Sequence, residues 1–164
     1  GQYQEAINTL EQASILKPAV ATYMELGTDL AQVGKTPEAT AACDKIPTVD
    51  PTAKNTQAAC YKNVGIVLMN KGKEPAAVAP LQKATLLNPK DVLAWKLLGD
   101  SLSSTITSES QDGKIALVIP PGTLEAYQRC LELEPNGPYA GEAKSALDGF
   151  AQLAKSPTER KEKN

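Results

Sequence analysis

The chain has 164 residues, 41% of them apolar and 22% charged, the balance of a soluble globular chain rather than a disordered one. It has no histidine, which removes a Ser-His-Asp triad, a Cys-His pair, a zincin helix and every imidazole metal site. Its 17 basic and 19 acidic residues leave a net charge of −2, so no global field recruits nucleic acid.

In chain order, the pattern predicts helices for most of the length. The opening Gly1-Gln2-Tyr3-Gln4-Glu5 has no basic or apolar leader region, so no targeting segment is visible and a soluble chain is expected. A lone helix over 2–16 comes first. Complete helix pairs follow at about 19–47 and 56–87, joined by four extra residues, Thr52 to Asn55, that read as an extended linker. A third pair spans 90–134 with an insertion at 104–121. Within it, Asp112-Gly113 lies between two β-prone runs, which predicts a hairpin with strands near 104–109 and 114–119, closed by Pro120-Pro121-Gly122; the alternative is an irregular loop. A helix then starts at Pro138, a residue favoured in the first helical turn, and runs to about 154. Its stripe of Tyr139, Ala143, Ala146, Leu147, Phe150 and Leu153 is suited to covering the last pair, with Glu142, Lys144 and Asp148 in water. The tail 155–164 is rich in charge of both signs and expected to be frayed. The longest apolar runs, 64–69 and 115–119, fall far short of the roughly 18 residues that a membrane span takes.

The strongest signal is internal repetition. Ala6, Ala39, Ala77 and Thr123 are each followed four positions on by Leu10, Cys43, Leu81 and Tyr127, and twelve positions on by Pro18, Pro51, Pro89 and Pro135. Upstream, Tyr23-x-x-Leu26-Gly27-x-x-Leu30, Tyr61-x-x-Val64-Gly65-x-x-Leu68 and Trp95-x-x-Leu98-Gly99-x-x-Leu102 share one spacing. Intervals of three, four and seven put these residues on one helical face, and the glycine lets a paired helix approach closely. Gly34 and Gly72 sit where a first helix must stop, and the closing proline ends each second helix.

These residues resemble the tetratricopeptide repeat (TPR), whose signature is Trp-x2-Leu-Gly-x2-Tyr, then Ala-x3-Phe, then Pro. The resemblance covers 1–135: a half repeat at 1–18, then repeats at about 19–51, 52–89 and 90–135, with 138–154 as a capping helix. Leu30, Leu68 and Leu102 stand where the signature has Tyr, Leu10 and Cys43 where it has Phe, and Thr123 where it has Ala. The resemblance implies an all-α, right-handed superhelical stack, or α-solenoid. Gly1-Gln2-Tyr3 matches the middle of a repeat, so the chain reads as cut from a longer, exportable protein; the alternative is an edge covered by another molecule. The general resemblance points to a bacterial source.

The implied function is that of a non-catalytic scaffold, holding a protein or peptide in a concave groove lined by the first helices. Counting from the signature, the groove candidates are Met24, Thr28 and Gln32, then Lys62, Asn63, Ile66 and Asn70, then Lys96, Asp100 and Ser103. Family members that bind chaperone C-termini use a Lys/Asn, Asn, Lys/Arg carboxylate clamp. Here the matching positions hold Met24 and Thr28, Asn63, and Leu93 and Leu97, so only Asn63 agrees and the clamp is missing. Two alternatives stand beside the groove. One is weak self-assembly through the uncapped N-terminal edge. The other is capture of an extended peptide by the hairpin edge, unless Ile115, Leu117 and Ile119 fold back onto the helices.

Catalysis is not expected, nor is a cofactor, a metal or a nucleic-acid partner. The sequence contains no Gly-x4-Gly-Lys, Gly-x-Gly-x-x-Gly or Asp-x-Asp-x-Asp-Gly motif. Cys43, Cys60 and Cys130 form no CxxC pair and read as small buried hydrophobes; the sharper alternative is a Cys43–Cys60 disulfide that leaves Cys130 free.

Overall fold

A computed structural model describes residues 1–111, 114–155 and 158–159. The helices are α1 (Gln2–Leu16), α2 (Val20–Gln32), α3 (Thr36–Asp44), α4 (Ile46–Val49), α5 (Lys54–Asn70), α6 (Glu74–Leu87), α7 (Val92–Ser103), α8 (Thr123–Leu133) and α9 (Ala140–Lys155). The strands are β1 (Thr107–Gln111), β2 (Lys114–Val118) and β3 (Thr158–Glu159). Successive helices pack on one another from α1 through α9, the stack of helix pairs that the repeat implies. No helix among the described residues is long and apolar enough to cross a membrane.

The repeat glycines explain the pairing. A β-carbon added at Gly27 would lie 3.2 Å from the Ala39 carbonyl and 3.3 Å from Cys43 Sγ; at Gly65 it would lie 2.7 Å from Leu81; at Gly99, 2.8 Å from the Tyr127 ring. Each glycine of a first helix thus faces the residue four positions after the small one in its second helix. The insertion at 104–121 leaves the third such contact in place, because the extra chain leaves the stack as a hairpin between α7 and α8. Ala39, Ala77 and Thr123 are fully buried beside these contacts. The apolar stripes merge into one core running from Ile7 of α1 to Ala126 of α8. Tyr127, Cys130 and Ala143 form a second cluster beneath α9. Each fully buried Leu, Ile or Val contributes on the order of 1.5–3 kcal/mol, and no single pair can supply a cover for its own stripe.

The turns follow the backbone chemistry of glycine and proline. Gly34 (φ 84°) and Gly72 (φ 67°) are left-handed and end α2 and α5. Lys35 N–H donates to Leu30 O and Lys73 N–H to Leu68 O, both at 2.9 Å, the six-to-one bond of a Schellman turn.

Four expectations are corrected. The second helix of the first complete pair does not run to 47. Pro47 has no N–H to give the Cys43 carbonyl, so α3 stops at Asp44 and the short α4 follows; Gln57 Nε2 donates to that carbonyl instead, at 3.3 Å. Thr52 to Asn55 are not an extended linker. Asp50 accepts from the N–H and hydroxyl of Thr52 at 2.8 and 2.7 Å, the chain turns, and α5 starts at Lys54. The first strand starts at Thr107, not near 104. Ser104 N–H donates to Asp100 O and Thr105 N–H to Leu102 O, so these residues close α7. Pro138 lies in a turn ahead of α9, whose first i→i+4 bond runs from Ala143 N–H to Tyr139 O at 3.0 Å.

Strands β1 and β2 pair antiparallel from Thr107↔Val118 to Gln111↔Lys114. The Asp112-Gly113 turn lies outside the described residues. Within the tail, β3 pairs antiparallel with β2 at Lys114↔Glu159 and Ile115↔Thr158, and 156–157 and 160–164 lie outside the described residues. Cys43 and Cys60 are joined in a buried disulfide between the second helix of one repeat and the first helix of the next, and Cys130 is free and buried. The sharper cysteine alternative is therefore the one observed.

Candidate functional site

Helices α2, α5 and α7 carry the ten groove candidates, and the structure divides them. Met24, Thr28 and Asn63 come together around a cleft of about 500 Å³ between α2 and α5, completed by Ala21, Glu25 and Asp29. Spacings of three, four, seven and eight put Ala21, Met24, Glu25, Thr28 and Asp29 on one side of α2. Asn63 projects from α5 on the opposite wall. The Thr28 hydroxyl donates to the Met24 carbonyl at 3.0 Å. Burial, and then the negative charge of Glu25 one turn away, raise the Asp29 carboxyl above its ordinary range.

Gln32 lines a different cleft, of about 360 Å³, at the helix turns with Val33, Gly34, Lys71 and Lys73. Ile66 is half-buried, and Asn70 is exposed at the end of α5.

The remaining four candidates are tied into contacts between elements. Lys62 Nζ lies 2.5 Å from Asp91 Oδ2, while the other oxygen of Asp91 accepts the Ala94 N–H at 3.0 Å and caps α7. That ion pair joins the first helices of two successive repeats. Lys96 Nζ reaches Asp100 at 2.8 Å and Glu142 of α9 at 2.7 Å. Asp100 also accepts the Tyr127 hydroxyl at 3.0 Å, and Ser103 Oγ lies 3.1 Å from the same hydroxyl. Burial works against the charge on Lys96, but the two carboxylates outweigh it and hold the ammonium well above lysine's usual range. Burial pushes Tyr127 up to about 12, against the Ser103 contact that pulls it down and with the help of the Asp100 carboxylate. A similar knot joins α3, α5 and α6: Tyr61 hydroxyl donates to Asp44, and Lys83 Nζ sits 3.0 Å from Asp44 and 4.9 Å above the Tyr61 ring.

Ala21, Glu25 and Asp29 were missed among the groove candidates. Counting from the TPR signature selects Met24 and Thr28, whereas plain helical spacing from Met24 would have added the residues beside them.

The hairpin offers a mixed surface. Leu117 and Val118 are 41% and 40% exposed, but Ile119 lines a cleft of about 410 Å³ with Leu124, Gln128, Leu147, Asp148, Phe150 and Ala151. The fold-back of Ile119 and the exposure of Leu117 split the expectation for this run. Leu153 is 53% exposed, so the stripe of α9 covers the last pair only as far as Phe150.

Comparison with known proteins bears on the fold. No protein-family model matches the chain, and no curated protein matches it in sequence. Among solved structures it is similar to a crystal structure of MamA at 22% identity and TM-score 0.51, over 93% of this chain and 85% of that one. A crystal structure of MamA protein matches at 22% identity and TM-score 0.50, over 94% and 80%. The structure of MamA 41-end from Desulfovibrio magneticus RS-1 matches at 20% and 0.50, over 94% and 85%. The fold is a TPR-like helical repeat. Its layout gives the α2/α5 cleft its place between adjoining first helices.

Proposed function

We propose that this chain is a non-catalytic TPR scaffold that holds a peptide or protein segment in the groove formed by α2, α5 and α7. The observation that supports this reading is the α2/α5 cleft, where Met24, Thr28 and Asn63 converge from two successive repeats. Met supplies an adaptable apolar contact, and the Asn carboxamide offers both a donor and an acceptor to a peptide bond. Lys62 contributes by fixing two successive repeats relative to one another, and Lys96, Asp100 and Ser103 by tying α7 to α8 and α9. Substitutions at Lys62 and Lys96 would therefore loosen the stack as well as any interface.

A cleaner test uses the free side chains. Met24→Glu with Asn63→Ala should abolish recovery of a partner from an extract of the native host. Gln128→Glu, on the exposed side of α8, should leave recovery as it was. Equal recovery by both proteins would place the partner elsewhere.

A further inference from the structure

The charges along the first helices are not left in equal states. The cations Lys62 and Lys96 are neutralised by Asp91, Asp100 and Glu142 at 2.5–2.8 Å. At the α2/α5 cleft the opposite holds: Glu25 and Asp29 line it, and neither carboxylate has an ion-pair partner among the described residues. They stand four positions apart on α2, where like charges repel. Asp29 is half-buried, and both its burial and its neighbour disfavour its negative charge. An incoming cation relieves the repulsion and offsets the cost of burial by direct attraction; an incoming anion adds to both. Beside the carboxylates, Ala21 and Met24 give the same cleft an apolar wall, and its volume of about 500 Å³ lies in the range that holds a small ligand or a few side chains.

We infer that the segment bound in this cleft carries a lysine or arginine next to an aliphatic side chain, the cation lying between Glu25 and Asp29 and the aliphatic group against Met24 and Ala21. Asn63, on the facing wall, takes the peptide backbone. This rests on the groove reading and adds the chemistry of the occupant.

The test selects a displayed library of random twelve-residue peptides on the immobilised full chain and measures the enriched peptides one by one. The expected winners pair Lys or Arg with Leu, Ile or Met. Glu25→Gln with Asp29→Asn, which keeps side-chain shape, should weaken them about tenfold, and raising salt from about 0.05 to 0.5 M should weaken them similarly. Melting curves of the variant should show no loss of stability relative to the parent, since neutralising the pair removes its repulsion. If the winners are acidic or neutral but still lose binding with Met24→Glu, the charge inference fails and the groove reading stands. If no peptide is enriched, or if binding ignores every cleft substitution, both fail.

Discussion

Replacing Gly99 with alanine probes the contact on which each helix pair is built. The added carbon would lie 2.8 Å from Tyr127 Cε1 and 2.9 Å from Cζ, closer than side-chain carbons approach one another. A flexible neighbour would move aside, but this ring is held. Its hydroxyl donates to Asp100 at 3.0 Å, and the ring neighbours Phe150, tilted by 37° with centroids 6.3 Å apart. Overpacking of this kind costs about 1–3 kcal/mol, and displacing the ring far enough to lose its hydrogen bond costs about 1 kcal/mol more. Alanine returns about 1 kcal/mol through helix propensity. The net expectation is a loss of about 1–3 kcal/mol, or several degrees in Tm at about 2–4 °C per kcal/mol for a chain of this size. Gly149 in α9 supplies the control, because an added carbon there meets nothing within 4 Å. Gly149→Ala should stabilise by about 0.5–1 kcal/mol through propensity alone. Urea unfolding followed by circular dichroism reads both values. Should Gly99→Ala stabilise by the same increment as Gly149→Ala, the close approach of first and second helices is wrong.

Other expectations follow from the cross-links between helices. Without reductant the unfolded chain should show one titratable thiol, Cys130, and with reductant three; three before reduction would contradict the Cys43–Cys60 bond. That bond spans 17 positions, so reducing it should lower stability by about 3 kcal/mol. In the fold Tyr127 ionises at about 12 against an ordinary value of 10.0, so above pH 10 the unfolded chain releases this proton first and stability falls as pH rises toward 12. Tyr127→Phe should flatten that part of the profile, measured as unfolding free energy against pH; an unchanged slope would remove Tyr127 as its source. Lys96→Met removes the contacts to Asp100 and Glu142 and should cost about 1–2 kcal/mol, with hydrogen exchange in α9 rising first.

The repeat was legible because it is written in short intervals. Tyr23, Leu26, Gly27 and Leu30 are neighbours on one helix face, and the small residue, its partner four positions later and the closing proline mark the next helix. Local signals that broke the pattern were present but overridden by the period. Pro47 removes a helical donor whatever the repeat says, and the Asp50–Thr52 pairing is an Asx turn written in three residues. The candidate groove was legible only where position alone decides exposure, as at Met24, Thr28 and Asn63. Lys62 and Lys96 look like free cations on a solvated face, yet their partners Asp91 and Glu142 arrive from elements 29 and 46 positions away, and helical spacing carries no record of them. Pairing of Cys43 with Cys60 was equally non-local: it depends on how two successive repeats meet.

The groove account is tested most directly by a photo-crosslinking residue placed at Ala21, which lines the cleft and is exposed, and separately at Gln128 on α8. After irradiation in an extract of the native host, covalent adducts should form from position 21 and not from position 128. Adducts that form from position 128 alone would move the binding surface off the first helices and contradict the account.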